Sequence, residues 1–287
     1  MKLLRYGPQG QERPGLLDSK GQIRDLSGQI DDLHAQELSD DLLNKLRSIT
    51  PESLPLVEGK PRIGVPLSGI RQCVAIGLNY RKHALEAAME IPAEPLVFFK
   101  AITSLCGPND DTLMPEKSEM MDWEVELAIV IGCICRRVPE ATALEHVAGY
   151  AIANDVSERD WQMNRSGQIS KGKSFDTFCP LGPWLVTRDE VPDPQALALE
   201  TTVNGEPRQK SSTADMIFSA AHIVSYCSQF MTLLPGDVIL TGTPEGVGWG
   251  MKPRRMLRAG DHVHLSIAGL GEQDQQVIAF KAPPEAN

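Results

Sequence analysis

Residues 122–132, DWEVELAIVIG, constrain this chain more than any other stretch. Side chains of a strand alternate, so Glu124 and Glu126 share one face while Val125 and Leu127 take the other. Beyond Glu126 the stretch is apolar on both faces, the pattern of a strand entering a core. Two carboxylates one strand repeat apart at the mouth of a core repel each other, and burying either is costly. Either that face lies in water at a sheet edge, or a bound divalent cation neutralises the pair. Hard cations such as Mg2+, Mn2+ or Ca2+ take oxygen ligands of this kind. A third carboxylate has a similar setting, because residues 148–155, AGYAIAND, form an apolar strand that ends on Asp155. Asp155 is either a further ligand or the N-cap of the next helix, with Glu158 completing a capping box.

Residues 77–86, GLNYRKHALE, leave a strand through a glycine and enter a helical stretch. There His83 and Glu86 stand three apart and share a helix face. A carboxylate beside a histidine fixes its tautomer and raises its basicity, which suits a general base. The plain alternative is a surface pair. Residues 241–248, TGTPEGVG, follow an apolar strand. Their glycines let backbone N–H groups approach an anion, and Thr243 adds a donor. The Gly-Lys-Ser/Thr element of a P-loop is missing, so carboxylate or enolate capture fits better than triphosphate binding. Here the alternative is an ordinary turn. Lys173 sits among small residues, and lysines usually face solvent. His262-Val-His264 alternates on a strand and reads as a solvated face.

The net charge of −10 comes with no clustered basic surface, which excludes a nucleic-acid partner. Lys252–Arg255 with Arg258 reads as a solvated loop. The six cysteines form no CxxC pair; Cys133 and Cys135 are expected on one face of an apolar strand. Reduced, mostly buried thiols point to the cytoplasm. The opening MKLLRYGPQG is broken by Arg5 and does not read as a signal peptide. No apolar run approaches the ~20 residues of a membrane helix, so no membrane partner is expected.

Residues 1–70 read as a small N-terminal α/β domain: a strand over Met1–Tyr6, a hairpin over 15–26 and a helix over Ser39–Leu46. Residues 71–287 form the second domain. Strands are expected at 73–76, 96–99, 125–134, 148–153 and 238–241, and helices near 80–90 and 218–230. Strands dominate without regular β-α alternation, which favours a mixed-sheet α+β fold over a doubly wound sheet.

Six segments in order carry a family resemblance: GLNYRKHALE (77–86), FFKAITSLCGP (98–108), DWEVELAIVIG (122–132), NDVSERDWQ (154–162), GKSFDTFCPLGP (172–183) and ILTGTPEGVG (239–248). Together they resemble the fumarylacetoacetate hydrolase family. The resemblance implies a mixed β-roll C-terminal domain, a variable N-terminal domain and a homodimer or higher homo-oligomer. It implies Mg2+ or Mn2+ at Glu124, Glu126 and Asp155, catalytic groups at His83, Glu86 and Lys173, and substrate contacts at Arg159, Gln162, Gly242 and Thr243. Two departures stand out. Asn79 replaces an aspartate that the animal hydrolases use as a fourth ligand, and Lys82 stands where many members have aspartate. The chain therefore looks like the acylpyruvase-like branch. The expected reaction is hydrolysis of the C3–C4 bond of a 2,4-dioxo acid to pyruvate and a carboxylic acid. The whole length, including the MKLLRYG opening, is similar to bacterial enzymes acting on 2,4-diketo-3-deoxy sugar acids such as the rhamnonate and fuconate derivatives. Oxaloacetate decarboxylation, keto-enol isomerisation or ureidoglycolate lysis would use the same enolate-stabilising groups. A metal-carboxylate binding protein without catalysis would leave the His83–Glu86 pair without a task.

Overall fold

The computed structural model describes residues 1–280. Strands β1 (Lys2–Tyr6), β2 (Arg13–Leu17) and β3 (Ile23–Asp25) form an antiparallel meander. Helix α1 (Asp40–Arg47) follows. Ser39 caps it, its hydroxyl accepting from the Leu42 N–H at 3.2 Å, and Leu43 and Leu46 fix it to the core. Next come β4 (Cys73–Gly77), α2 (Arg81–Glu86), β5 (Leu96–Lys100), β6 (Leu105–Cys106), β7 (Thr112–Leu113) and β8 (Met121–Asp122). The central strands are β9 (Val125–Ile131) and β10 (Val147–Asn154), followed by β11 (Ser157–Glu158), α3 (Arg159–Met163), α4 (Ser170–Lys173) and β12 (Cys179–Thr187). The chain closes with β13 (Ala198–Val203), β14 (Glu206–Ser212), α5 (Ala220–Phe230), β15 (Val238–Leu240), β16 (His262–Ile267) and β17 (Gly271–Ile278).

The larger sheet runs β3-β2-β1-β12-β10-β9-β15-β4-β5, with β6 also on β12. The strands of the first seventy residues thus continue this sheet through β1, which pairs Lys2 with Val186 of β12. A second sheet, β14-β13-β16-β17-β7, shares a core with it. Sheet dominates and helices are short, as the α+β reading expects.

Strand β9 explains why the site lies where it does. Every one of its residues is buried, so both its faces are covered. Val125, Leu127, Ile129 and Ile131 point into the core shared with β13, β16 and α5. Ala128 and Val130 point into a second core with Leu3, Leu43 and Leu240. Glu126 has the parity of this second face, where its neighbours include the small side chains Ala75, Ala128 and Ala153.

Two expectations need correcting. Cys133 and Cys135 do not share a strand face: β9 ends at Ile131, after which Cys133 is exposed and Cys135 buried. The helix expected over 80–90 is only Arg81–Glu86, because the chain turns at Ala87 and Ala88, the latter at a φ of 54°. Among the described residues, no helix is long and apolar enough to cross a membrane.

Candidate active site

Strand register brings the three carboxylates together. In the antiparallel pair, Ala153 of β10 lies opposite Glu126 and Asn154 opposite Val125. One step further puts Asp155 opposite Glu124, and the Asp155 N–H donates to the Glu124 carbonyl at 2.9 Å. Alternation turns all three side chains to one face. One oxygen from each lies within 4.8 Å of the others, and all three residues are buried. The capping alternative for Asp155 falls away. Glu158 itself caps α3, its carboxylate accepting from the Trp161 N–H at 2.9 Å.

Three cations converge on these acids. The Lys173 Nζ sits between Glu124 Oε2 at 2.6 Å and Asp155 Oδ2 at 2.7 Å. Arg159 Nη1 meets Glu124 Oε1 at 2.6 Å while its Nη2 meets Asp122 Oδ2 at 2.8 Å. Lys100 Nζ meets the remaining oxygen of Asp155, Oδ1, at 2.6 Å. Burial works to raise the Glu124 carboxyl, yet Lys173 and Arg159 outweigh it and hold the group down to about 2. For Lys173, burial favours the neutral amine, but Asp155 and Glu124 keep the ammonium above its ordinary range.

Glu126 differs. Its carboxylate accepts the Gly242 N–H at 2.7 Å, and no lysine or arginine among the described residues pairs with it. Burial, followed by the Asp155 and Glu124 charges, pushes its carboxyl well above the usual range. A buried, uncompensated acid beside two others, with oxygen as the only donor, fits a hard divalent cation such as Mg2+ or Mn2+.

His83 on α2 lines the same cavity as the acids. Its Nδ1 lies 3.3 Å from Glu86 Oε2. Glu86 is itself held by the Gly246 N–H, at 3.0 and 3.1 Å to its two oxygens. Between β4 and α2, Asn79 clamps the chain: its amide donates to the carbonyls of Thr241 at 2.8 Å and Phe218 at 3.1 Å, and its oxygen accepts the Phe218 N–H at 2.8 Å. With both ends of its side chain committed to backbone, Asn79 fastens the turn and takes no part in the acidic cluster.

The 241–248 loop uses its amides within the protein. Gly242 N–H goes to Glu126, Gly246 N–H to Glu86, and Gly248 N–H to Asp122 at 2.7 Å. The expectation of free amides around a substrate oxygen is met by the chain's own carboxylates instead. Gly242 and Gly246 have φ of +94° and +95°, and a Cβ on Gly246 would lie 2.0 Å from the Arg208 carbonyl, so only glycine fits. The Thr243 hydroxyl donates to the Val125 carbonyl at 3.0 Å and accepts from Gln209 Nε2 at 2.8 Å, while the residue still borders the cavity. Gln162 borders it too, and accepts from Arg159 Nη1 at 2.9 Å.

Sequence reasoning passed over Lys100, Asp122 and Gln209. Lys100 and Asp122 had a usable signal, since each is a charge beside an apolar strand, as Asp155 is. Gln209 had none: it is the one fully buried residue of the otherwise polar β14. The cavity itself measures about 160 Å³.

Fold and site together define a sheet-rich enzyme class built round a buried acidic centre beside a histidine-carboxylate pair. The chain belongs to the fumarylacetoacetate hydrolase family, residues 72–278 matching the fumarylacetoacetate (FAA) hydrolase C-terminal region. A Burkholderia ambifaria relative with a provisional hydrolase name is 57% identical over 96% of this chain and 98% of its own. The fumarylacetoacetate hydrolase of psychrophilic Exiguobacterium antarcticum superimposes with a TM-score of 0.85 at 37% identity, covering 98% of this chain and 100% of the other. Maleylpyruvate hydrolase from Sphingobium sp. SYK-6, solved with manganese(II) and pyruvate, gives 0.82 at 29% identity, covering 98% and 100%.

Proposed function

We propose that this protein hydrolyses the C3–C4 bond of a 2,4-dioxo acid, giving pyruvate and a carboxylic acid. The observation that carries this reading is one cavity bordered by the buried acids Glu124, Glu126 and Asp155 and by the His83–Glu86 pair. The solved maleylpyruvate hydrolase complex supports it, since that protein holds manganese and pyruvate.

A divalent ion held by Glu124, Glu126 and Asp155 would supply positive charge for the C1 carboxylate, the C2 oxygen and the enolate that forms there. The chain's own residues do the rest. Glu86, fixed by the Gly246 amide, orients His83 through Nδ1 and leaves Nε2 to take a proton from water. The water oxygen bonds to C4, the C3–C4 bond breaks, and its electron pair passes to C3 and the C2 oxygen. The proton held on His83 returns to C3, giving pyruvate. Arg159 and Lys173 place fixed positive charge beside the developing enolate. Gln162 and Thr243 border the same space.

His83→Ala is expected to lower kcat by about two to four orders of magnitude, measured as pyruvate release, while Mn2+ still binds by calorimetry. Unchanged turnover in that variant removes His83 as the base. Pyruvate release also separates hydrolysis from isomerisation, which consumes a dioxo acid without producing pyruvate, and turnover of oxaloacetate alone marks a decarboxylase.

A further inference from the structure

We infer that the leaving acyl group is apolar and uncharged, a short aliphatic chain or a single ring; this rests on the dioxo-acid reading above. The cavity is divided by chemistry. Glu124, Asp155, Arg159, Lys173 and Gln162 form one linked polar cluster in its lining, and His83, Glu126, Thr243 and Trp249 supply the other polar groups. The rest of the lining is carbon, supplied chiefly by Leu78, Met89, Leu96, Phe98, Ile169 and Val247.

Three features show that this wall is built for a ligand. Met89 and Leu96 are 49% and 39% exposed, so their carbon meets water until something apolar covers it. Leu78 presents its side chain from a left-handed backbone, φ 53°, a conformation that glycine would adopt without strain. Asn79 holds that strained turn in place with its three hydrogen bonds.

Charge rules out the alternatives for this wall. The lysine and arginine of the lining are Lys173 and Arg159, and both are committed to carboxylates of the chain. An acyl group ending in a second carboxylate finds no free cation, and sugar-acid hydroxyls would be desolvated against carbon. The hydroxylated acyl groups that the full-length resemblance suggested are therefore disfavoured.

The test is kcat/KM for pyruvate release, with Mg2+ or Mn2+ present, from acetyl-, hexanoyl- and benzoylpyruvate, a 2,4-diketo-3-deoxy sugar acid, and maleylpyruvate. Hexanoyl- or benzoylpyruvate should exceed acetylpyruvate by about tenfold or more, the scale on which apolar pockets discriminate. Met89→Gln and Leu96→Asn should each shrink that ratio severalfold. Preference for the hydroxylated or the doubly charged acid overturns the apolar assignment and leaves the hydrolase reading standing. If no dioxo acid yields pyruvate, the hydrolase reading fails, and calorimetric binding of 2-oxohexanoate against pyruvate still decides the wall. About tenfold tighter 2-oxohexanoate supports it, and equal or weaker binding overturns it.

Discussion

Two places in this molecule use the same local pattern and reach opposite ends. Glu124 and Glu126 stand two apart on a strand with Asp155 across from them, and His262 and His264 stand two apart on β16 with Asp274 across on β17. In the first, the side chains are 7%, 1% and 1% exposed for Glu124, Glu126 and Asp155. In the second, they are 47%, 31% and 51% exposed for His262, His264 and Asp274. Burial changes what the charges require. Removed from water, the acids need Lys100, Lys173 and Arg159 at 2.6–2.7 Å, and Glu126 pairs with no cation among the described residues. In water, Asp274 Oδ1 lies 3.0 Å from His264 and 3.2 Å from His262, and solvent screens the rest. A repeat of charged residues on a strand becomes a site only where a second layer covers its face.

The sharpest way to break this contrast is Asp155→Ala. It removes the carboxylate that neutralises the buried Lys100 and one of the two ion pairs of the buried Lys173, at a cost of about 3–5 kcal/mol, and it should abolish Mn2+ binding. Thermal melts and calorimetry read both effects. A variant that melts like the wild type would mean that these charges are not as buried as their geometry states.

Asn79→Asp comes next. It sets a carboxylate against the carbonyls of Thr241 and Phe218, where an amide now donates. Stability should fall by about 1–3 kcal/mol, with no additional divalent ion bound. A rise in ion affinity would show the aspartate joining the acidic cluster after all.

Glu12 is an intermediate case, its side chain 8% exposed and 2.8 Å from Arg62. Burial raises its carboxyl, but the Arg62 hydrogen bond, a backbone contact and Arg5 outweigh that and pull it below its usual 4.5. The folded value is below the unfolded one, so the stabilisation is complete above about pH 4.5 and is lost as pH falls through the folded value. Tm should therefore drop on acidification below that point, with a shallower slope in Glu12→Gln. Equal slopes would show that Glu12 is not a contributor.

Asp274→Asn is expected to do least, within about 0.5 kcal/mol of wild type. A loss several times larger would erase the distinction between the two strand patterns.

Much of this was readable along the chain. Alternation put Glu124 and Glu126 on one face, the apolar run after them announced a covered strand, and Ser39 marked the start of α1. Asp155 stayed ambiguous because a carboxylate at a strand end serves equally as ligand or cap. The register of β10 on β9 and the nearer cap, Glu158, removed that ambiguity. The paired cysteines were misplaced because β9 stops at Ile131, where Gly132 abuts Ala148 too closely for a side chain.

Sequence alone determined what depends on neighbours within a few residues: strand periodicity, the shared face of the acids, the His83–Glu86 spacing and a helix near residues 39–46. Only the tertiary structure decided which groups meet from afar. Lys100 reaches Asp155 across 55 positions, and Asn79 reaches Thr241 across 162. It also decided that Glu126 pairs with no cation among the described residues, and that carbon makes up much of the lining of its cavity. Periodicity sets the direction of a side chain, whereas strand order and register set what stands opposite it, and burial sets how much that neighbour matters.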